Sequence, residues 1–398
     1  VLVEAVPTGD IAEVQMPLNF SLVLDHSGSM SGKKIENLKE AAKLAIDQMS
    51  PEDLVSIVIF DDSVQLVAAS QPVTDPDALK AQIDEIDAAG GTNISYAMRD
   101  SLDELAKGMA RGRVNRMLLL TDGETYGDED ECRRLTAEAG RQDVQVTALG
   151  LGDDWNEALL DDIAAASEGL ADFLPEDAPE VVLRTFERAV KSAQATVVQD
   201  AVMLLRLVPG VMPRAVWRVK PMITKLGHRA ISERDVQVEL GDMERETGQS
   251  VLVELMVSPR QPGTYRVAQA EVDYNVVALG LIGEKAKSDV ILSFSADPDV
   301  VSEAASHGDP YVLNIIEKVT AHKLQTRALD EAAVGNIAGA TQKLRAAATR
   351  LLSVGEEDLA ETALDEAERL EQGGGLSSEG TKKLRYETRK LTQKFDDV

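Results

Sequence analysis

The chain is poor in cysteine, in aromatic side chains and in positive charge. One cysteine, Cys132, in 398 residues excludes an intrachain disulfide and a cysteine-rich zinc site. The four histidines, His26, His228, His307 and His322, are scattered without metal-ligand spacing. Aromatics make up only 4%, yet hydrophobic residues reach 44%, which is enough to fill globular cores and argues against wholesale disorder. Lys and Arg number 41 against 69 Asp and Glu, a net charge of −28. That balance argues against binding a nucleic-acid backbone, which requires clustered cations, and against docking to an anionic membrane. No apolar run approaches about 18 residues, so no membrane-spanning helix is expected. No signal peptide heads the chain, and a cytoplasmic location is the expectation; a removed leader stays open because residue 1 is a valine.

What is present is enough chain for roughly two to three domains of about 150 residues. Residues 13–195 alternate short apolar runs with amphipathic stretches. The runs at 20–24, 55–60, 117–120 and 144–149 read as strands buried on both faces. Between them Ile35, Leu38, Ala42, Ala45 and Met49 share one helical face, and 75–86 and 94–109 repeat that pattern, as does a closing helix at 178–195. Such alternation implies an α/β unit with a doubly wound, mostly parallel sheet and helices on both faces.

Residues 196–300 change period. Val236-Gln237-Val238-Glu239-Leu240 alternates strictly, 251–257 and 265–274 are strand-like, and turns are expected at Gly241-Asp242 and Gln261-Pro262-Gly263. An antiparallel β-sandwich follows. The segment 1–12 could add a strand to it, which would make the α/β unit an insertion. Residues 301–398, rich in Ala, Leu, Glu, Lys and Arg, read as helical hairpins punctuated by Gly335, Gly355 and Gly373-Gly374-Gly375. Ala-Leu-Asp-Glu-Ala occurs at 328–332 and at 363–367, an offset suggestive of a helical repeat.

The informative residues follow three strand or loop ends. The first strand runs into Asp25-His26-Ser27-Gly28-Ser29, Gly90-Gly91-Thr92-Asn93 precedes a helix, and the third strand ends in Thr121-Asp122-Gly123-Glu124. In an open parallel sheet, ligands bind at the carboxyl ends of strands near the switch in strand order, so the three segments converge. Asp25, Ser27, Ser29, Thr92 and Asp122 offer only oxygen. Hard oxygen ligands suit Mg2+, with Mn2+ or Ca2+ as alternatives. Two carboxylates with three hydroxyls leave such an ion short of a full oxygen shell, open to one further acidic oxygen from a partner.

The Asp-x-Ser-x-Ser segment at 25–29, with Thr92 and Asp122-Gly123, resembles the metal-ion-dependent adhesion site of von Willebrand factor A domains, and the stretch 18–30 is similar to the bacterial members. The resemblance covers about 13–195. It implies that Ser27 and Ser29 coordinate metal directly, that Thr92 does so directly or through water, and that Asp25 and Asp122 act largely through water. The metal would then stay electrophilic toward a partner's Glu or Asp, and the helix at 178–195 would be the element that shifts with affinity.

Simpler readings compete at each position. Ser27 and Ser29 could cap the following helix, and Asp122-Gly123 could be a strand-ending turn; three matches in order favour the metal. The stretch from Gly28 to Gly32-Lys33-Lys34 has one residue too few between its glycines for a phosphate loop. Gly150-Leu151-Gly152 lacks the third glycine of a dinucleotide site. His26 is expected as an exposed rim residue, Asp61, Asp62 and Glu124 as solvated turn residues, and Cys132, Trp155 and Trp217 as packing residues. Ser27 has no evident His-Asp partners. The function expected is a non-enzymatic, metal-dependent protein-binding module. The rivals are an adaptor for an AAA-type ATPase machine, with the helical tail as contact, and a metal-dependent hydrolase.

Overall fold

A computed structural model describes all residues except 14, 126, 233, 307 and 394–398; His307 lies outside the described residues. Strand β1 (Leu2–Ala5) opens the chain. Residues 15–196 then form one compact unit, and residues 1–14 with 197–398 form the other.

The first unit runs β2 (Leu18–Asp25), α1 (Lys33–Asp47), β3 (Leu54–Phe60), β4 (Val64–Pro72), α2 (Pro76–Asp84), α3 (Ile94–Gly108), β5 (Val114–Thr121), α4 (Glu129–Arg141), β6 (Val144–Leu151), α5 (Glu157–Ala166), β7 (Leu170–Leu174) and α6 (Pro179–Ala195). Its six strands are ordered β4-β3-β2-β5-β6-β7. All neighbours are parallel except the β3–β4 pair. The edge strand β4 escapes sequence reading because most of its residues face solvent and its apolar residues do not alternate strictly. Every residue of β2 is buried, as expected for a central strand covered on both faces. Its polar members are satisfied sideways. Asn19 Nδ2 donates to Leu105 O at 2.8 Å and to Asn115 Oδ1 at 2.9 Å, and Ser56 and Ser101 donate to Ser21 Oγ at 2.9 and 2.8 Å. Helix α1 packs with α2 and α6, and α4 packs with α3 and α5. Right-handed crossovers put α1 and α4 on opposite faces, because β3 lies on one side of β2 and β6 on the other side of β5.

The chain leaves β2 toward β3, then returns to place β5 on the opposite flank of β2. The carboxyl ends of β2 and β5 are therefore adjacent at the switch in strand order, where a crevice forms outside the sheet.

The second unit continues with β8 (Thr196–Leu207), β9 (Val211–Lys220), β10 (Thr224–Leu226), β11 (Arg229–Ala230), β12 (Asp235–Glu244), β13 (Gln249–Val257), β14 (Gly263–Val276), β15 (Leu281–Phe294), and helices α7 (Pro298–Ser306), α8 (Pro310–Ala333), α9 (Ile337–Ser353), α10 (Glu357–Glu371) and α11 (Ser378–Glu387). The strands build two sheets, β1-β13-β9-β10 and β11-β12-β8-β14-β15. Residues 2–5 pair antiparallel with 249–252. Gly241 does not make the expected turn. It adopts φ 73° inside β12, a left-handed conformation that glycine accommodates within a strand, and the chain reverses after Glu244.

The helices do not form a free-standing domain. Ile315, Val319, Leu344, Leu351 and Leu384 share one core with Trp217, Val219, Ile223 and Leu252 of the β1-β13-β9-β10 side. Alanines 321, 328, 340, 348, 360, 363 and 367 fill this core, and their small side chains let neighbouring helices approach closely. Asp309, Asn336 and Ser377 cap α8, α9 and α11. Gly335, Gly355 and Gly373 end α8, α9 and α10 at φ 80–81°, as C-terminal glycines do. The two Ala-Leu-Asp-Glu-Ala strings are not structural equivalents. The first closes α8, with Leu329 6% exposed, and the second lies mid-α10, with Leu364 37% exposed.

Candidate metal centre

Strand β2 delivers Asp25 to the crevice and β5 delivers Thr121 and Asp122. Asp25 is fully buried. Its Oδ1 accepts from Ser27 N at 2.8 Å and its Oδ2 from Thr121 Oγ1 at 2.6 Å, so the carboxylate bends the chain back after the strand and ties β2 to β5. Burial pushes its pKa up, hydrogen bonds from Ser27 and Thr121 oppose that rise, and the nearby Asp122 charge adds to it. The pocket thus holds concentrated negative charge.

The hydroxyls turn toward this charge. Ser27 Oγ lies 3.0 Å from Ser29 Oγ, and Ser29 Oγ donates to Asp122 Oδ1 at 2.7 Å. Neither serine caps a helix: the 3-10 turn Gly28–Met30 has no side-chain cap at Ser27, and α1 begins behind Gly32 without one. The capping alternative for these residues therefore does not hold. Thr92 comes to the same place from the loop before α3, since a Cβ at Gly123 would lie 3.3 Å from Thr92 Oγ1. Asn93 caps α3 by accepting from Tyr96 N at 3.3 Å. All five expected residues thus belong to one cleft edge, where Thr125 Oγ1 also donates to Thr92 O at 3.4 Å.

Residues that sequence reasoning did not single out hold this arrangement. Thr121 fixes Asp25. Thr125 accepts from Ile94 N at 3.4 Å and pairs with Asp128, whose other oxygen accepts from Ser95 N at 2.7 Å. Lys34, in the first turn of α1, donates to Asp122 Oδ2 at 2.9 Å and reaches Glu176 Oε2 at 3.3 Å. Desolvation works against the Lys34 charge, but Asp122 and then Glu176 outweigh it and hold its pKa above the ordinary value. No short-range sequence signal marks Lys34 or Glu176, because their meeting depends on the sheet order.

Several rim expectations need correction. His26 is buried, not exposed: the loops around Phe60 and Ala89 close over it through His26 N–Phe60 O at 3.0 Å and Ala89 N–His26 O at 2.7 Å. Its Nδ1 lies 2.9 Å from Asp87 O and its Nε2 4.0 Å from Asp61 Oδ2, so its ring is turned to the loop. Asp61 and Asp62 are structural rather than merely solvated. Asp61 Oδ1 accepts from Ser63 N at 2.7 Å, and Asp62 Oδ2 accepts from Gly91 N at 2.8 Å. Glu124 is exposed. Cys132 is buried in α4, and burial pushes its thiol far above the ordinary range. Trp155 explains Gly150: the indole lies against the glycine, where any Cβ would overlap it, and Trp155 Nε1 donates to Gly152 O at 2.7 Å.

The donor set fits a hard divalent cation. Ser27 Oγ, Ser29 Oγ and Asp122 Oδ1 form one hydrogen-bonded run of hard oxygen donors. Among the described residues, no group of three or more His, Cys, Asp and Glu side chains comes together as a metal cluster, in this cleft or outside it. A cation here would rest on hydroxyls as much as on carboxylates.

Comparison with known proteins matches two stretches of the chain. Residues 19–185 match the von Willebrand factor type A domain, and residues 310–394 match the Sll0103-like, C-terminal alpha-helical domain. An uncharacterized protein of Synechocystis sp., sll0103, is 33% identical over 273 residues, covering 67% of this chain and 63% of that protein. Human inter-alpha-trypsin inhibitor heavy chain H4 is 32% identical over 195 residues, 46% of this chain and 21% of that protein. The chain thus spans less than two thirds of either relative. A solved structure of a von Willebrand factor type A protein from Catenulispora acidiphila superimposes with a TM-score of 0.74 at 18% identity, covering 94% of this chain and 90% of that one; at that identity the match speaks for the fold.

Proposed function

Residues 19–185 form a von Willebrand factor type A domain, and from that premise we propose that the chain is a divalent-metal-dependent protein-binding protein. Domains of this type mediate protein–protein interactions, and families built on them are generally non-enzymatic. The observation that supports metal dependence is the run of oxygens from Ser27 through Ser29 to Asp122, laid over the buried Asp25. Ser27, Ser29 and Thr92 would hold Mg2+, or Mn2+ or Ca2+ in its place, with Asp25 and Asp122 acting on it largely through water. The ion would supply an electrophilic centre, and a Glu or Asp of the partner would complete its coordination. Asp25 orients Ser27 through its backbone amide, and Thr121 keeps Asp25 turned inward. With a net charge of −28, the protein repels acidic surfaces generally. The partner is therefore a protein that presents a single exposed carboxylate on a neutral or basic surface.

The test is capture of partner from native lysate by the full chain, with and without chelator, against Ser27→Ala. Capture should fall to background in both cases while the circular dichroism spectrum stays unchanged. Capture that survives both treatments refutes the reading.

A rival in which residues 308–398 dock an ATPase cannot be tested by deleting them, because Trp217, Val219, Ile223 and Leu252 would lose their cover. Charge reversal on exposed positions of α9 and α10 is the sound version. No helix is long and apolar enough to cross a membrane among the described residues.

A further inference from the structure

We propose that Lys34 sets the cation affinity of this site, its ammonium contending with a divalent ion for Asp122 and withdrawing to Glu176 when the ion enters. The inference rests on the metal-site reading and adds a regulator to it.

Three observations lead there. The Asp122 side chain is 0% exposed and already engaged on both oxygens, by Ser29 Oγ at 2.7 Å and Lys34 Nζ at 2.9 Å. Asp25 and Asp122 with one ammonium leave a single negative charge around Asp122, and an ammonium that moves out to Glu176 leaves two there for a divalent ion. Lys34 also has somewhere to go. Glu176 Oε2 is 3.3 Å away, and its side chain is 60% exposed, so it can follow the ammonium outward. Finally, the space is kept open. Gly152 has φ 71°, and a Cβ there would lie 3.3 Å from Glu176 Oε2 and 3.9 Å from Lys34 Nζ. The position of Lys34 is itself unfavourable for a cation, because it lies in the first turn of α1, where the helix dipole prefers negative charge. A lysine there answers to Asp122 and Glu176, not to the helix.

Glu176 sits between β7 and α6. The same ammonium therefore links the state of Asp122 to the segment that leads into the last helix of the unit.

The experiment is calorimetric titration of Mn2+ into the full chain, comparing wild type, Lys34→Met, Glu176→Gln and Ser27→Ala. A unit charge about 6 Å from a divalent ion, screened as in water, changes affinity roughly tenfold. Lys34→Met should bind Mn2+ about tenfold more tightly than wild type. Glu176→Gln should bind about threefold more weakly, because Lys34 then has only Asp122 to hold. Ser27→Ala should not bind. Thermal midpoints in chelator report folding, and Lys34→Gln repeats the measurement should the methionine variant be unstable. Unchanged or weaker binding by the Lys34 variants, with wild type binding and Ser27→Ala silent, overturns the Lys34 proposal and leaves the metal site standing. Absence of Mn2+ binding by wild type and Lys34→Met alike overturns the metal site and the Lys34 proposal together.

Discussion

Around Asp25 the α/β unit buries polar side chains at a strand end. Around His322 the other unit buries them in the seam between α8, α11 and the sheet. Both places look equally unusual by burial alone: Asp25, Ser27, Thr121 and Asp122 on one side, Lys318, His322, Gln325, Thr388 and Thr392 on the other. They differ in where their hydrogen bonds end. In the seam, Lys318 Nζ donates to Leu391 O at 2.7 Å, Thr388 Oγ1 to Leu384 O at 2.7 Å, and Thr392 Oγ1 to Val219 O. His322 Nδ1 meets Thr388 Oγ1 at 2.9 Å, with Trp217 edge-on at 6.3 Å. Lys318, Thr388 and Thr392 spend themselves on main-chain carbonyls, while Gln325 Oε1 accepts from Thr388 Oγ1 at 3.3 Å and Gln325 Nε2 is buried without a hydrogen-bond partner among the described residues. At the strand end, two carboxylates share a buried cleft with one ammonium, and charge remains over. Buried polar atoms mark a stitch where every bond ends on the fold, and a site where charge is left for something else.

That distinction is broken or sharpened by substitution. The largest effect is expected from Leu344→Ala, which empties a fully buried position in the core shared by helices and sheet. It should cost about 3 kcal/mol in denaturant unfolding; a loss below about 1 kcal/mol would mean that the helices are not held by that core. Acid comes next. Burial lowers the pKa of His322 to about 3, with Arg389 adding to the effect. The folded state therefore keeps the imidazole neutral, while the unfolded chain protonates near the ordinary value of about 6.5. Between those values the unfolded state holds one more proton, so stability falls as pH falls, by about 1.4 kcal/mol per unit and about 2 kcal/mol at pH 5. Unfolding of wild type and His322→Gln between pH 7 and 5 measures this, and parallel pH slopes would refute it. Thr388→Val is smaller, about 1 kcal/mol, because it strips one hydroxyl from His322 and Gln325; the check is its midpoint in urea.

The two regions were unequally legible. Asp25, Ser27, Ser29 and Asp122 could be read because each lies within five residues of the end of an apolar run long enough to be a buried strand, and the parallel-sheet rule does the rest. Lys34 and Glu176 could not, since they are 142 positions apart (176 − 34) and meet only once β5, β6 and β7 are ordered beside β2. The edge strand β4 was hidden by its solvent-facing, non-alternating pattern. In the other unit the alternation of 236–240 identified a strand, but Gly241-Asp242 looked like its end. A glycine can turn left-handed without leaving a strand, and local sequence does not separate the two. The seam was invisible for a related reason. No local signal sets Lys318, His322 and Thr388 apart on their helices, because their burial depends on Val219, Ile223 and Trp217 sharing that core.

The smallest effect is also the most discriminating. Asp25→Asn removes a buried charge but keeps an oxygen able to accept from Ser27 N, and its amide can donate to Thr121 Oγ1 where the carboxylate accepted. In the stitch, loss of a partner strands a group and costs stability. At Asp25, burial and Asp122 already work against the charge, so its loss should change unfolding in chelator by no more than about 0.5 kcal/mol, in either direction. The same variant should lose the rise in thermal midpoint that Mn2+ confers on the wild type, because binding to the folded state alone produces that rise. A residue whose removal leaves the fold indifferent and the metal response gone is kept for the site. If Asp25→Asn instead unfolds the domain as Leu344→Ala does the seam, Asp25 is a stitch as well, and the contrast between the two regions fails.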